Sequence, residues 1–397
     1  MLSSSILWFG REGCILMNGI YYYLIAFILI WILALCFKSK LSNYGFEIEF
    51  PLIMWKTKRL RGFINRMANL SPKFWKWFMN VALIICYGAM IYITYTILQS
   101  LTTIIEAPQV SVVLPGVDMP GSTIYVPFLP GFIALATVII IHEFSHGILS
   151  RVEGIKIESI GLLLFLILPG AFVEPNEDEL KKSSRLSRLR VYTAGSMANI
   201  VLAVVAILVV SAISTFVIPN DFSEDGIEIS RVIEGSPADN VLKDGMIIES
   251  IDNQSVGSSN GYLNLVANST PNQNMTITTD QGTYTIQLAK NPANDSRGFI
   301  GIQTSKHYVI KDDVKSVWGD YLPWVWFSIL EIFQWIFILN LGIGLFNLLP
   351  IKPFDGGHMF EILLSYKLRE ETYKPIVRAV SIVLAIIIIA SIIFSFV

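Results

Sequence analysis

Residues 129–146 read Leu129-Pro-Gly-Phe-Ile-Ala-Leu-Ala-Thr-Val-Ile-Ile-Ile-His142-Glu143-Phe144-Ser145-His146. Nothing up to Ile141 is charged, and then the stretch ends in HExxH. Two histidines four apart on a helix lie on one face, so both imidazoles reach one ion. The glutamate between them projects close enough to polarise a water held there. A pair of surface histidines on an amphipathic helix would look different, because here the flanking residues are apolar on every face. Ionisable side chains at membrane depth are expensive and usually functional. The stretch therefore predicts a membrane-spanning helix that carries metal chemistry at one end.

Working outward, the composition agrees. Of 397 residues, 53% are hydrophobic and only 15% charged, with mean hydropathy +0.58. Globular chains carry nearer a quarter charged residues, so this is the composition of a membrane protein. The net charge of −2 gives no reason to expect a nucleic-acid partner. Cys14, Cys36 and Cys86 have neither zinc-ligand nor disulfide-framework spacing, and the latter two sit in apolar runs as small hydrophobes. The first apolar segment lacks a basic leader and a small-residue cleavage site, which favours an uncleaved helix; Met17 is an alternative start.

A crossing helix needs about 20 apolar residues. Six segments meet that: 20–37, 78–101, 129–150, 195–218, 322–349 and 377–397. The apolar run Ile160–Pro169 is too short and ends in Pro-Gly, so a re-entrant or interfacial loop is expected over 160–175. Nine Lys/Arg fall in 38–77 (Lys38, Lys40, Lys56, Lys58, Arg59, Arg61, Arg66, Lys73, Lys76). Further basic residues fall in 151–190 and 351–376, whereas 102–128 has none. The positive-inside rule then makes those three segments cytoplasmic and both termini external.

Residues 220–316 fall outside by the same count. They are polar, with turn signals at Asp244-Gly245 and Asn260-Gly261, and sequons at Asn253, Asn268, Asn274 and Asn294 give weak agreement with an external face. Ile227–Ile233 reads as a strand, Gly235-Ser-Pro-Ala-Asp239 as the start of a short helix, and Leu242–Asp252 as a turn and strand. That order resembles a PDZ domain of the kind attached to proteases. The resemblance implies a small α+β module that binds an extended peptide by strand addition or filters substrates by size, with Ser223–Gly226 as its carboxylate-binding loop. The expected fold is thus a polytopic α-helical membrane protein of about six transmembrane helices with an inserted PDZ-like domain. Its parts are 1–128 (first spans and a basic loop), 129–219 (first part of the catalytic core), 220–316 (PDZ-like) and 317–397 (second part of the core and the last span).

A hydrolytic zinc site needs a third protein ligand and an open fourth position. His307 lies across the bilayer by this topology, and His358 is a candidate. Asp355, in Asn347-Leu-Leu-Pro-Ile-Lys-Pro-Phe-Asp355-Gly-Gly-His358, is the better one. Asp-Gly-Gly alone would be only a turn, but this stretch ends a span on the same side as His146.

His142–His146 on a span, followed by Asn347-x-x-Pro350-x-x-x-x-Asp355-Gly356, resembles the site-2 protease family of intramembrane zinc metalloproteases. The resemblance covers roughly 130–200 and 320–365. It implies His142, His146 and Asp355 as ligands of one zinc ion per chain and Glu143 as the general base. Gly195-Ser-Met-Ala-Asn199 matches a family segment that commonly has proline where Ser196 stands. Asn199 would then lie near the substrate backbone or the developing oxyanion, or serve as a polar helix contact. Asn347 reads as a helix-end hydrogen-bonding residue. The 160–175 loop resembles the family's membrane-embedded loop, which is thought to hold an extended substrate. The expected partners are single-span membrane proteins and the lipid bilayer of the cell membrane, with the active site toward the cytoplasm. Two other readings use the same motif: a membrane zincin whose third ligand is Glu174, Glu177 or Glu179, and a zinc transporter or sensor, which would need no glutamate between the histidines.

Overall fold

A computed structural model describes residues 19–57, 60–102, 110, 113–117, 124–292 and 294–395. Cys14, Met17, Lys58, Arg59 and most of the 102–128 loop lie outside the described residues. The chain divides into two compact units. One spans Ser211–Leu330; the other combines Ile15–Val210 with Glu331–Val397, the chain passing between them within two long helices.

In the larger unit, α1 (Gly19–Cys36) and the short α2 (Lys38–Ser42) precede a hairpin of β1 (Phe46–Glu49) and β2 (Leu52–Thr57). Next come α3 (Arg61–Leu70), α4 (Pro72–Gln99) and α5 (Phe128–Val152), then β3 (Ile157–Phe165) and β4 (Leu168–Pro175), α6 (Glu177–Lys182) and α7 (Arg185–Ala212). In the smaller unit, α8 (Ile218–Asp221) leads into β5 (Phe222–Val232), β6 (Ile247–Ile251), β7 (Gln254–Ser255), α9 (Ser259–Ala267), β8 (Asn274–Thr279) and β9 (Gly282–Gln287). That unit goes on through β10 (Ala289–Asn291), β11 (Asn294–Phe299), β12 (Ile302–Ile310) and α10 (Asp312–Trp318). The chain then runs through α11 (Val325–Phe346), α12 (Asp355–Leu364) and α13 (Glu370–Ser395).

Among the described residues five helices are long and apolar enough to cross a membrane: Pro72–Thr102, Phe128–Val152, Arg185–Asp221, Leu322–Phe346 and Glu370–Ser395. They correspond to five of the six expected spans, three of them in full, while the expected 322–349 and 377–397 run beyond Phe346 and Ser395. The first expected span is α1, whose described apolar part, Tyr21–Cys36, is shorter. Helix α1 packs Trp31 and Ala34 on Ile48 of β1, and Trp31 Nε1 donates to Leu166 O at 2.8 Å.

The expected loop over 160–175 is instead a β-hairpin. Strands β3 and β4 join β1 and β2 in a four-stranded antiparallel sheet of order β1-β2-β3-β4, with Trp55 opposite Leu162 and Ile160 opposite Val173. The physical reason is backbone pairing. Apolar surroundings penalise unpaired N–H and C=O groups, and the ladder satisfies them inside the segment. The basic segment 38–77, read as a loop, supplies the other two strands.

One core lies under this sheet. Ile64 and Ala68 of α3, Met79 to Met90 of α4, Ile148 and Leu149 of α5, Ile157, Ile160 and Val173 of the hairpin, Val191 and Ala194 of α7, and Met359 of α12 pack together. Glu153, just past α5 and 4% exposed at its side chain, accepts from Arg190 at 2.9 Å and from Ser187 at 2.7 Å and pairs with Lys76 at 3.6 Å. This charged knot ties the starts of α4 and α7 to the end of α5.

The Ser211–Leu330 unit holds a sheet of order β12-β5-β6-β8-β9, with β7 on β6. Strand alternation builds its core. In β8, Met275, Ile277 and Thr279 are buried while Asn274, Thr276 and Thr278 face outward. Ile229, Ile248 and Ile277 have no exposed surface, and burial of each contributes roughly 1.5–3 kcal/mol. Two expectations are corrected here. Gly235–Asp239 forms turns rather than the start of a helix, with Ser236 N donating to Ile233 O and Asp239 N to Ser236 O. Ser223–Gly226 is not a loop but part of β5, where Ser223 and Glu224 pair with Val309 and Tyr308 of β12. Of the helices α8, α9 and α10 in this unit the longest is α9, which Ser258 caps by accepting from Gly261 N.

Candidate metal centre

Helix α5 presents His142 and His146 one turn apart, and α12 begins at Asp355. Asp355 Oδ2 lies 3.2 Å from His142 Nε2 and 3.3 Å from His146 Nε2. The three donor atoms all fall within 4.8 Å of one another, the sole such cluster of three or more metal-ligating side chains among the described residues. Each side chain is only 12–13% exposed.

The protonation pattern asks for a cation. His146 Nδ1 lies 2.8 Å from Val191 O, a carbonyl that can only accept, so Nδ1 carries the hydrogen. A neutral ring in this arrangement would aim its Nε2 lone pair at a carboxylate oxygen. Two electron-rich atoms at this separation are stable only with a proton or a metal ion between them. A His₂Asp set matches the three-ligand pattern of catalytic zinc.

Space for the ion comes from a glycine. A Cβ on Gly195 of α7 would lie 2.6 Å from His142 Nε2 and closer still to His146 Nε2. Any other residue would fill the place where the three donors converge. The residues present therefore fit a zinc ion. Gly356 and Gly357 do related work for the third ligand. Their absent side chains let the first turn of α12 lie directly on the backbone of Leu348–Leu349 and Ile351–Lys352, with Gly356 N donating to Asn347 O at 2.9 Å. The Asp-Gly-Gly turn is what sets Asp355 beside the histidines.

Residues 130–388 match peptidase family M50. The chain belongs to that family, the site-2 protease family. An uncharacterized protein of Methanocaldococcus jannaschii is 29% identical over 238 residues, which are 59% of this chain and 57% of that protein. The chain thus matches little more than half the length of this curated relative.

In this member of family M50 the alternative ligands are engaged elsewhere. Glu174 accepts from Ser159, Glu177 pairs with Lys181 at 2.6 Å, and Glu179 pairs with Lys156 at 3.4 Å and accepts from its backbone N–H. His307 bonds Asp225 O at 2.9 Å within the smaller unit. His358 stacks on Tyr192, ring centres 4.5 Å apart, and burial pushes its imidazole below the ordinary histidine value.

Glu143 lies between the ligands, and its Oε2 accepts from Val173 N of β4 at 3.2 Å. Strand β4 ends the sheet, and Val173 N–H points away from β3 toward α5. Gly147 allows this approach, since a Cβ there would come within 2.9 Å of both Val173 Cγ1 and Ile64 Cδ1. Asn199, fully buried in α7, sets Nδ2 3.2 Å from His142 Nδ1 and leaves Oδ1 without a partner. Ser196 Oγ lies 3.5 Å from Asp355 Oδ2. Sequence reasoning missed Gly147, Gly195 and Val173. Gly195 was visible inside Gly-Ser-Met-Ala-Asn, but the atoms it must avoid lie on another helix.

Proposed function

We propose that this M50 peptidase is an intramembrane zinc metalloendopeptidase that hydrolyses peptide bonds within or near transmembrane segments of membrane proteins. The observation that carries the reading is the convergence of His142, His146 and Asp355 beside Glu143, on and between helices apolar enough to cross a bilayer.

A zinc ion held by the three ligands would supply Lewis acidity, polarising a carbonyl and acidifying a water. Glu143 takes the proton of the attacking water and delivers it to the leaving amine. The Val173 N–H fixes one of its carboxylate oxygens and so aims the other. A helical substrate hides its scissile carbonyl in i→i−4 bonds and must unwind first; the outer edge of β4 offers the unwound segment a strand to pair with. Charge distribution supports a site toward the cytoplasmic side of the cell membrane with the smaller unit outside. We read that unit as a PDZ-like module, supported by its sheet order and α9, with an extended peptide as its ligand.

The test is Glu143→Gln in purified protein with a single-span substrate. Zinc content should stay at one per chain while cleavage falls by about 100-fold or more. A chelator should stop cleavage by the unmodified protein, and Asp355→Ala should lose the metal. Zinc content unchanged in Asp355→Ala would sink the ligand assignment, and cleavage surviving Glu143→Gln would sink the base.

A further inference from the structure

Val191, Gly195 and Asn199 follow one another at intervals of four residues on α7 and so form one stripe along the helix. Each touches the histidine pair. Val191 O lies on His146 Nδ1, Gly195 faces both Nε2 atoms, and the Asn199 amide lies on His142 Nδ1. The stripe therefore stands behind and between the two rings of α5. Its middle member leaves space, and its first member accepts a hydrogen from one ring. The third member is where the chemistry has to be worked out.

As placed, Asn199 Nδ2 faces His142 Nδ1 at 3.2 Å and Oδ1 has no partner. An amide N–H donated to Nδ1 puts the ring's hydrogen on Nε2, which suits a hydrogen bond to Asp355 but blocks Nε2 as a ligand. The nitrogen and oxygen of an asparagine amide are exchangeable assignments. Turning the amide over brings Oδ1 onto Nδ1–H and frees the Nε2 lone pair. As placed, the far oxygen gains no hydrogen bond that would hold the amide this way round, so the near end decides. Gly344 of α11 closes the other side; a Cβ there would lie 3.1 Å from Asn199 Cβ, so the side chain is held between two helices.

We infer that Asn199 is a positioning residue whose carbonyl oxygen accepts from His142 Nδ1–H, fixing the tautomer and ring angle that present Nε2 to zinc. It does for His142 what the Val191 carbonyl does for His146. A ligand's hydrogen-bond acceptor of this kind raises its basicity and restricts its rotation. The assignment rests on the zinc reading above and differs from a role in contacting substrate.

Zinc affinity of the purified full-length protein, measured by competition with a chromogenic chelator, tests it. Asn199→Leu keeps the shape and removes the acceptor, and should weaken zinc binding by about 10–100-fold. Asn199→Asp restores an acceptor at the same place and should bind at least as tightly as the unmodified protein. Asn199→Ala carries the same expectation as leucine should that variant fail to fold. Leucine and alanine variants that hold zinc as tightly as the unmodified protein, while KM for a single-span substrate rises, would overturn the inference and make Asn199 a substrate contact. An aspartate variant as weak as leucine would overturn it too. Unmodified protein that binds no zinc, or binds it equally after Asp355→Ala, would instead bring down the metal centre itself.

Discussion

Both compact units have an aliphatic core, yet one buries far more polar side chains than the other. Among the described residues of the Ser211–Leu330 unit, the buried polar side chains are Ser269 and Thr279. The helical unit buries Ser100, Ser150, Thr193, Ser196, Asn199, Asn340, Ser391 and Ser395. Its spans also turn large apolar residues outward, such as Ile84, Ile91, Leu208 and Ile386. The smaller unit follows the pattern set by water, whereas in the helical unit lipid is as apolar as any core, and small and polar residues are what hold helices together. Interior substitutions should therefore damage stability in one unit and chemistry in the other.

The largest effect is expected at Gly195. Gly195→Ala should abolish stoichiometric zinc binding and lower cleavage by at least about 100-fold. Helix content by circular dichroism should hold or rise, because alanine favours a helix over glycine by up to about 1 kcal/mol. An active, zinc-loaded Gly195→Ala protein would break the contrast. Ile277→Ala, in the core of the sheet, should cost about 2–5 kcal/mol in the unfolding of its unit while zinc per chain stays constant. Zinc loss in that variant would show that the two interiors are not separable in this way.

Asn340 sharpens the comparison on the helical side. It donates to Thr137 Oγ1 at 3.0 Å and to Ile336 O at 2.9 Å, joining α11 to α5, and its Oδ1 is unpartnered. Asn340→Leu should lower resistance to unfolding in detergent by about 0.6 kcal/mol, a mean value for such interhelical bonds. A loss several times larger would mean that Oδ1 has a donor of its own.

The smallest effect belongs to the half-exposed pair Glu224–Lys306 on the smaller unit. Hydrogen bonding from Lys306 holds the Glu224 carboxyl below its usual range. Its contribution is complete above the unfolded carboxylate pKa and disappears as pH falls through the lower folded one. Lys306→Met should remove less than about 1 kcal/mol at neutral pH and nothing once acid has protonated Glu224. Denaturation midpoints against pH, with and without the substitution, measure it.

What could be read from sequence followed the range of each interaction. The ligand pair is local, four residues on one helix, and the sign of the flanking residues named its surroundings. Asp355 was reachable because its turn closes a span. The β3–β4 hairpin was not, because Ile160–Pro169 is apolar on both faces and periodicity cannot separate such a strand from a loop or helix. Its partner β2 also lies about a hundred residues upstream, beyond any pattern. Ser223–Gly226 was expected as a loop only through the PDZ resemblance, and its pairing with β12 depends on residues more than eighty positions away. Gly195 was visible as a residue and silent as a cavity, since a missing Cβ matters only through atoms on α5.

His146 and Asp355 lie at opposite ends of a stretch that contains all of α7, the whole smaller unit and α11. Any ion they share is a removable cross-link that closes this long loop, and closing a long loop withdraws much conformational entropy from the open chain. Metal binding should thus act on the mechanical coupling of α12 to α5 as much as on chemistry. Without such an ion the spans would keep their own hydrogen bonds while backbone amides of α12 exchange faster, so an ion bound there would be a fastener between two parts of the chain that sequence keeps far apart.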